Sequence, residues 1–134
     1  MEKKALLFII CIFSFLGWTE VHAATLSLRP SAGTFAVGST FEISLYLNTQ
    51  GQTINAIEAY LQFPADKLQV VSPSTGNSLI GLWVTQPKYN NNTGSIELRG
   101  GIPEGANVSD GLISKIQFRV RGTGSALIRF ADTS

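Results

Sequence analysis

The sequence predicts an all-β protein, a β-sandwich with jelly-roll topology. Three observations lead to this prediction. Short segments alternate apolar and polar residues with the two-residue period of strands, clusters of Gly, Pro, Asn and Ser separate these segments, and no segment after Ala24 has the 3.6-residue period of a helix. About eight short strands with frequent turns are typical of two sheets that face each other across one core.

The N-terminal segment is typical of a secretory signal peptide. Lys3 and Lys4 give it a basic start, an apolar run follows from Ala5 to Leu16, and small residues precede Ala24. The apolar run is shorter than the roughly 20 residues that span a bilayer. We therefore expect cleavage and a domain that is secreted, extracellular or at the cell surface, without a membrane span of its own, although a downstream anchor is possible. The predicted boundaries are 1–23 for the signal peptide and 24–134 for the domain.

The composition excludes several kinds of chemistry. Cys11 and His22 are the only cysteine and the only histidine, and both fall in the predicted signal peptide. The remaining chain cannot form disulfides, Cys/His zinc sites, thiol nucleophiles or histidine-assisted triads. The sequence has no Asp-x-Asp spacing of the kind that gathers calcium ligands, and none of its carboxylates falls in a recognisable acid/base motif. We expect no metal, no cofactor and no catalytic residue, and the net charge of +1 does not indicate nucleic acid as a partner.

The first two strands are predicted near the start of the domain. Alternation from Thr25 to Leu28 predicts a short strand, and the Gly- and Ser-containing segment from Ser31 to Ser39 predicts a turn. Alternation continues over the whole of Thr40 to Asn48, with four apolar residues on one face. The polar residues Thr49 to Thr53 lead into the next strand, which predicts an antiparallel hairpin. The four inward residues are Phe41, Ile43, Leu45 and Leu47.

The segment from Ile57 to Phe63 is predicted to be the central strand. Its residues alternate strictly, a corner at Pro64 to Asp66 follows, and a second apolar run covers Leu68 to Val71. One face of this strand is expected to enter the core, and the other is free to recognise a partner. The inward residues are Ile57, Ala59, Leu61 and Phe63. The outward residues are Glu58, Tyr60 and Gln62.

The remaining strands are marked by turn residues. A strand is expected around Leu82 to Gln86, and Pro87 ends it or confines it to an edge. Asn90 to Gly94 predicts a turn before a short strand from Ser95 to Arg99, and Gly100 to Asp110 is interpreted as a loop.

A last hairpin is predicted at the end of the domain. It combines Leu112 to Arg121 with Ser125 to Phe130 through a Gly-Thr-Gly turn. Ile116, Phe118 and Val120 are expected to face inward. Burial of a large apolar side chain contributes about 1.5–3 kcal/mol, so five of them should supply much of the core. These five are Phe41, Phe63, Leu68, Phe118 and Phe130.

Three segments of the chain resemble the cohesin family. They are Gly33 to Phe41, Ala59 to Val71 and Ser109 to Val120, and they occur in the order that the family shows. The resemblance implies a nine-stranded jelly roll, so the expected number of strands is eight to nine. It also implies a last strand beyond the equivalent of Phe130, which would make the domain incomplete at Ser134.

The resemblance implies a secreted, non-catalytic module that binds a dockerin-like protein in extracellular assembly linked to polysaccharide catabolism. Cohesins that bind dockerins use a flat sheet face, built partly from the equivalent of the Ile57–Phe63 strand. We expect outward residues of the last long strand to share this face. The candidate partner-binding residues are Glu58, Tyr60, Gln62, Lys115, Gln117 and Arg119. An ordinary solvated sheet face is the alternative interpretation of these residues.

Two other functions stay open at this stage. Exposed aromatic rings could stack on a polysaccharide, as in a carbohydrate-binding module, and the candidates are Trp83, Tyr89 and Tyr46. The tryptophan could instead cover the edge of the core. The third possibility is a structural surface domain or an adhesive domain.

Overall fold

A computed structural model describes residues 23–131. Within this range the chain forms eight strands and no helix, and so none that is long and apolar enough to cross a membrane. Except for Ala23, the predicted signal peptide lies outside the described residues. The strands are β1 (Thr25–Arg29), β2 (Thr40–Asn48), β3 (Ile54–Gln62), β4 (Leu68–Ser74), β5 (Leu82–Asn90), β6 (Ser95–Ala106), β7 (Gly111–Val120) and β8 (Arg129–Phe130).

The eight strands form two antiparallel sheets that pack face to face. One sheet has the order β1-β2-β7-β4 and is called the β7 sheet below; the other has the order β5-β6-β3-β8 and is called the β3 sheet. The all-β sandwich predicted from the alternation is therefore confirmed. Each sheet turns one face to the core and the other to solvent, which is why its strands alternate apolar and polar residues.

The core lies between the sheets as two adjoining clusters of buried side chains. Phe118 of β7 is fully buried in the first cluster, and its ring meets Phe63 edge to face with centroids 5.4 Å apart. Phe41 is half-buried and stacks on the same ring at 5.6 Å. Leu68 is also buried as predicted, but Phe130 is 39% exposed, so its predicted place in the core is wrong. The second cluster is Leu45, Leu47, Ala59, Ile80, Leu98, Ile102, Ala106 and Ile113.

The predicted corner after the central strand carries the chain from one sheet to the other. The backbone N–H groups of Lys67 and Leu68 donate to the carbonyl of Pro64 at 3.1 and 2.9 Å, which closes the corner. The turn before β6 packs against it, since the Phe63 N–H donates to the Gly94 carbonyl at 2.9 Å. Gly94 has a φ of +71°, and a Cβ at this position would lie 2.0 Å from the Phe63 oxygen. This turn therefore requires glycine.

Both predicted hairpins are wrong because their strands lie in different sheets. β2 belongs to the β7 sheet and β3 to the β3 sheet, and the segment between them crosses the sandwich. Thr49 begins this crossing, is fully buried, and donates its N–H to the Val108 carbonyl at 2.8 Å. Likewise β8 pairs with β3 instead of β7, with Phe130 opposite Leu61. Alternation shows that a strand has one apolar face, but two facing sheets accept such a face equally well.

β6 is longer than predicted and includes residues 100–106 of the expected loop. It pairs with β3 through Gly100 and Gly101 and ends at Ala106. A Cβ on Gly100 would lie 2.3 Å from Cγ2 of Ile80, so the strand needs glycine where Ile80 packs against it. β5 also extends further than expected and contains Pro87, which it can accommodate because β5 is an edge strand.

Candidate functional site

The solvent-facing side of the β3 sheet presents its side chains in four rows across the strands. Residues that pair directly across antiparallel strands project to the same face, and inward residues such as Leu61 and Leu98 fix which face is outside. The rows are Ala56, Gly101 and Leu82; Glu58, Arg99 and Thr85; Tyr60, Glu97 and Lys88; and Arg129, Gln62, Ser95 and Asn90. We call them the first to the fourth row.

Arg99 occupies the centre of this face and is held by two side chains of β3. Its Nη2 donates to the hydroxyl of Tyr60 and lies 3.4 Å from a carboxylate oxygen of Glu58. The guanidinium carbon is also 5.8 Å from the centroid of the Tyr60 ring. The hydrogen bond with Tyr60, followed by the charge of Glu58, raises the pKa of Arg99 above its usual value. Arg99 is therefore a permanently charged and oriented group on a solvent-exposed surface.

The third row contains a second ion pair. Lys88 of the edge strand lies 3.6 Å from a carboxylate oxygen of Glu97, which is directly opposite Tyr60. A groove of about 380 Å³ runs along this end of the face, lined by Tyr60, Glu97 and Tyr89 among others. Tyr89 is 43% exposed, but it pairs with the buried Ile96 of β6, so its side chain projects from the opposite face of the sheet. In the groove itself the ring of Tyr60 adjoins charged groups, a combination that can receive a side chain of a binding partner.

The two ends of the face differ in chemistry. In the first row, Ala56 and Gly101 carry no polar side chain, and Leu82 is 60% exposed. Val84 follows in a bulge of the same strand and is 74% exposed. In the fourth row, Nη2 of Arg129 donates to Oε1 of Gln62 at 2.8 Å. One end of the face is thus aliphatic and the other is rich in hydrogen-bond donors.

The six predicted partner-binding residues do not share one face. Glu58, Tyr60 and Gln62 lie on the outer face of the β3 sheet, as alternation predicted. Lys115, Gln117 and Arg119 belong to β7, whose outer face lies on the opposite side of the sandwich. The expectation of a common face is wrong because β7 pairs with β2 and β4 and makes no ladder with β3.

The three aromatic candidates do not form a platform either. Trp83 is half-buried and packs against the second core cluster, so it covers the edge of the core. Tyr46 lies on the β7 sheet, where the guanidinium carbon of Arg29 sits 4.3 Å from its ring centroid. Arg29 is in turn ion-paired with Asp110. Tyr89 lies beside the groove of the β3 sheet, but it pairs with the buried Ile96, so its side chain does not project from the outer face.

A larger cleft of about 730 Å³ opens along the side of the sandwich. It lies between the segment 30–37 and the segment 122–128, and its walls include the exposed side chains of Phe35, Val37 and Leu127. Among the described residues that line it, Lys67 carries the one charge, and its Nζ donates to the Ser125 carbonyl at 2.8 Å. Within residues 23–131, the cleft therefore presents no carboxylate pair for acid/base chemistry.

Sequence reasoning missed several residues of the outer face. Glu97 and Arg99 were detectable in principle, since they fall on the polar side of the predicted Ser95–Arg99 strand. Leu82, Lys88 and Arg129 were not detectable in this way. They join the face through the pairing of β5 and β8 with their neighbours, which is long-range and leaves no local pattern.

The fold and this face define the chain as a two-sheet β module with ion pairs across one outer surface. Within residues 23–131, no three His, Cys, Asp or Glu side chains gather at a potential metal site. The sequence matches the family model described as the cohesin domain over residues 25–134. The chain belongs to the cohesin family.

Solved cohesin structures share this fold. The sixth cohesin of scaffoldin B from Acetivibrio cellulolyticus, in complex with a mutant Cel5 dockerin, is 15% identical, with a TM-score of 0.61 and coverage of 84% of each chain. A type III cohesin module from the ScaE cell-surface anchoring scaffoldin of Ruminococcus flavefaciens is 17% identical, with a TM-score of 0.65 and coverage of 84% of this chain and 67% of that chain. No curated protein matches the sequence.

Proposed function

We propose that this chain is an exported, non-catalytic module that binds a dockerin-type protein through the outer face of the β3 sheet. In this role it would join proteins in extracellular assemblies that degrade polysaccharide. The observation that carries the proposal is the central pair of rows on this face. Glu58 and Tyr60 both contact Arg99 there, and Lys88 pairs with Glu97 beside them.

Three features support a protein partner over a polysaccharide. The face crosses three strands, its charged groups pair with one another across those strands, and an aliphatic patch adjoins them. The aromatic candidates for sugar stacking are divided between the core edge, the opposite sheet and the groove. Solved cohesins with the same fold include modules in complex with dockerins, from Acetivibrio cellulolyticus and Clostridium thermocellum.

Replacement of Glu58 by Arg tests this face directly. The change places a second cation beside Arg99 and removes its carboxylate partner, so we expect the Kd for a bound dockerin to rise at least about tenfold. Isothermal titration calorimetry with a panel of purified dockerin modules, including the Cel5 dockerin, measures this effect.

The matched control is Glu42→Arg. Glu42 is an exposed glutamate on β2, on the outer face of the β7 sheet, so the same charge change is made on the opposite surface. We expect this variant to bind as the unmodified protein does. Equal affinity of the Glu58→Arg protein, or equal weakening by both variants, would contradict the assignment of the face.

Export is part of the proposal and rests on the N-terminal sequence. The basic start, the apolar run and the small residues before Ala24 support cleavage after residue 23. When the full chain is produced in a secreting bacterial host, N-terminal sequencing of the exported protein should begin at Ala24. A chain that stays in the cytoplasm with its N-terminal lysines would contradict export.

A further inference from the structure

We infer that the outer face of the β3 sheet is polarised along its strands and therefore sets the orientation of its partner. The dockerin-type protein would place aliphatic side chains over the first row and at least one carboxylate over the fourth row. This inference rests on the proposed function and specifies the chemistry of the partner at that site.

The charged side chains of this face are unevenly distributed among its four rows. The second and third rows are each neutral, because Glu58 faces Arg99 and Glu97 faces Lys88. The fourth row carries the positive charge of Arg129, whose hydrogen-bond partner among the described residues is the neutral Gln62. Among the described residues, the positive charge of this face is therefore concentrated at the end where β8 joins β3.

The geometry of the fourth row suits a carboxylate. Arg129 uses Nη2 for its bond to Gln62, and a guanidinium has five N–H donors in all. Because Oε1 of Gln62 accepts that bond, the NH₂ group of the same amide points elsewhere and adds two more donors. A carboxylate can accept two parallel bonds from a guanidinium, and such pairs are stronger than neutral hydrogen bonds.

The first row, at the opposite end of the face, is unfavourable for a charged group. Ala56, Gly101 and Leu82 offer no polar side chain, and the exposed Val84 adjoins them. A carboxylate covered there would lose water without gaining a donor, whereas an aliphatic group would bury apolar area on both partners. An aliphatic group placed over Arg129 would in turn desolvate a charge. The reversed orientation is therefore disfavoured at both ends.

The distance between the first and fourth rows constrains the spacing of the side chains that the partner must present. The first and fourth rows are separated by six residues of β3, from Ala56 to Gln62. At about 3.3 Å per residue, this separation is roughly 20 Å. The contacting element of the partner must therefore carry its aliphatic side chains and its carboxylate about this far apart.

The experiment compares charge and polarity variants at the two ends, using a dockerin that binds the unmodified protein in calorimetry. We expect Arg129→Glu to raise its Kd at least about tenfold and Arg129→Gln to raise it by less. Leu82→Asp should also raise the Kd at least about tenfold. Each change has a matched control away from the face: Arg119→Glu, an exposed arginine of the β7 sheet, and Leu127→Asp, an exposed leucine at the side cleft. Both controls should stay within about twofold of the unmodified protein.

A reciprocal change establishes the orientation. Lysine replacement of the dockerin carboxylate that contacts Arg129 should restore binding to the Arg129→Glu protein and should not restore binding to the Leu82→Asp protein. If Arg129→Glu binds normally while Glu58→Arg binds weakly, the polarity is wrong and the proposed function stands. If no dockerin binds, or Glu58→Arg has no effect, the proposed function fails and this inference fails with it.

Discussion

At the scale of single residues, Asn91 shows how one side chain can join the two sheets. It lies in the turn between β5 and β6, and its side-chain amide contacts the backbone of Val70 on β4. Oδ1 accepts the Val70 N–H at 2.7 Å, and Nδ2 donates to the Val70 carbonyl at 3.0 Å. Because β4 is the edge of its sheet, the amide takes the place of a neighbouring strand at this point.

We expect Asn91→Ala to lower the free energy of unfolding by about 2 kcal/mol, because it removes both hydrogen-bond partners of a buried backbone unit. Urea denaturation followed by tryptophan fluorescence measures the loss. The matched control is Asn92→Ala at the adjacent exposed position, for which a change within about 0.5 kcal/mol is expected. If the two variants were equally stable, water would replace the Asn91 amide as the hydrogen-bond partner of Val70. The amide would then not stabilise the fold.

At the scale of elements, the sequence predicts the strands better than their partners. β2 alternates over its whole length, β3 over residues 57–62 and β7 over residues 115–120, and inward residues such as Leu45, Leu61 and Phe118 are buried as expected. β6 was only half predicted, because Gly100 and Gly101 indicate a loop by composition. In the structure these glycines are strand residues, and Ile80 fills the space that a side chain of Gly100 would need. A contact between segments twenty residues apart in the chain leaves no trace in a local pattern.

Local sequence patterns likewise predict only part of the candidate site. Glu58, Tyr60 and Gln62 were predicted to project outward, and they do so because alternation fixes the face of a strand. The companion residues on β7 were assigned to the wrong side, since alternation does not reveal which sheet a strand enters. The side chains that complete the face come from β5, β6 and β8. Among them, Arg99 of β6 contacts both Tyr60 and Glu58.

At the scale of the whole molecule, the sandwich separates two outer surfaces of different character. On the β3 sheet, ion pairs run across three strands and an aliphatic end adjoins them. On the β7 sheet, Arg29 pairs with Asp110 beside Tyr46, whereas Lys115 and Arg119 lie opposite hydroxyl and amide side chains such as Ser44 and Gln69. The two surfaces therefore differ in the pattern of their charged groups, a difference that a binding partner can distinguish.

The most direct test of this assignment is to map the bound surface by NMR. Backbone amide resonances of residues 24–134 are followed while an unlabelled dockerin is added. The largest shifts are expected at Glu58, Tyr60, Glu97 and Arg99, with little change at Lys115, Gln117 and Arg119. Shifts concentrated on the outer face of the β7 sheet would contradict the account, and so would shifts on the β3 sheet with cello-oligosaccharides but not with dockerins.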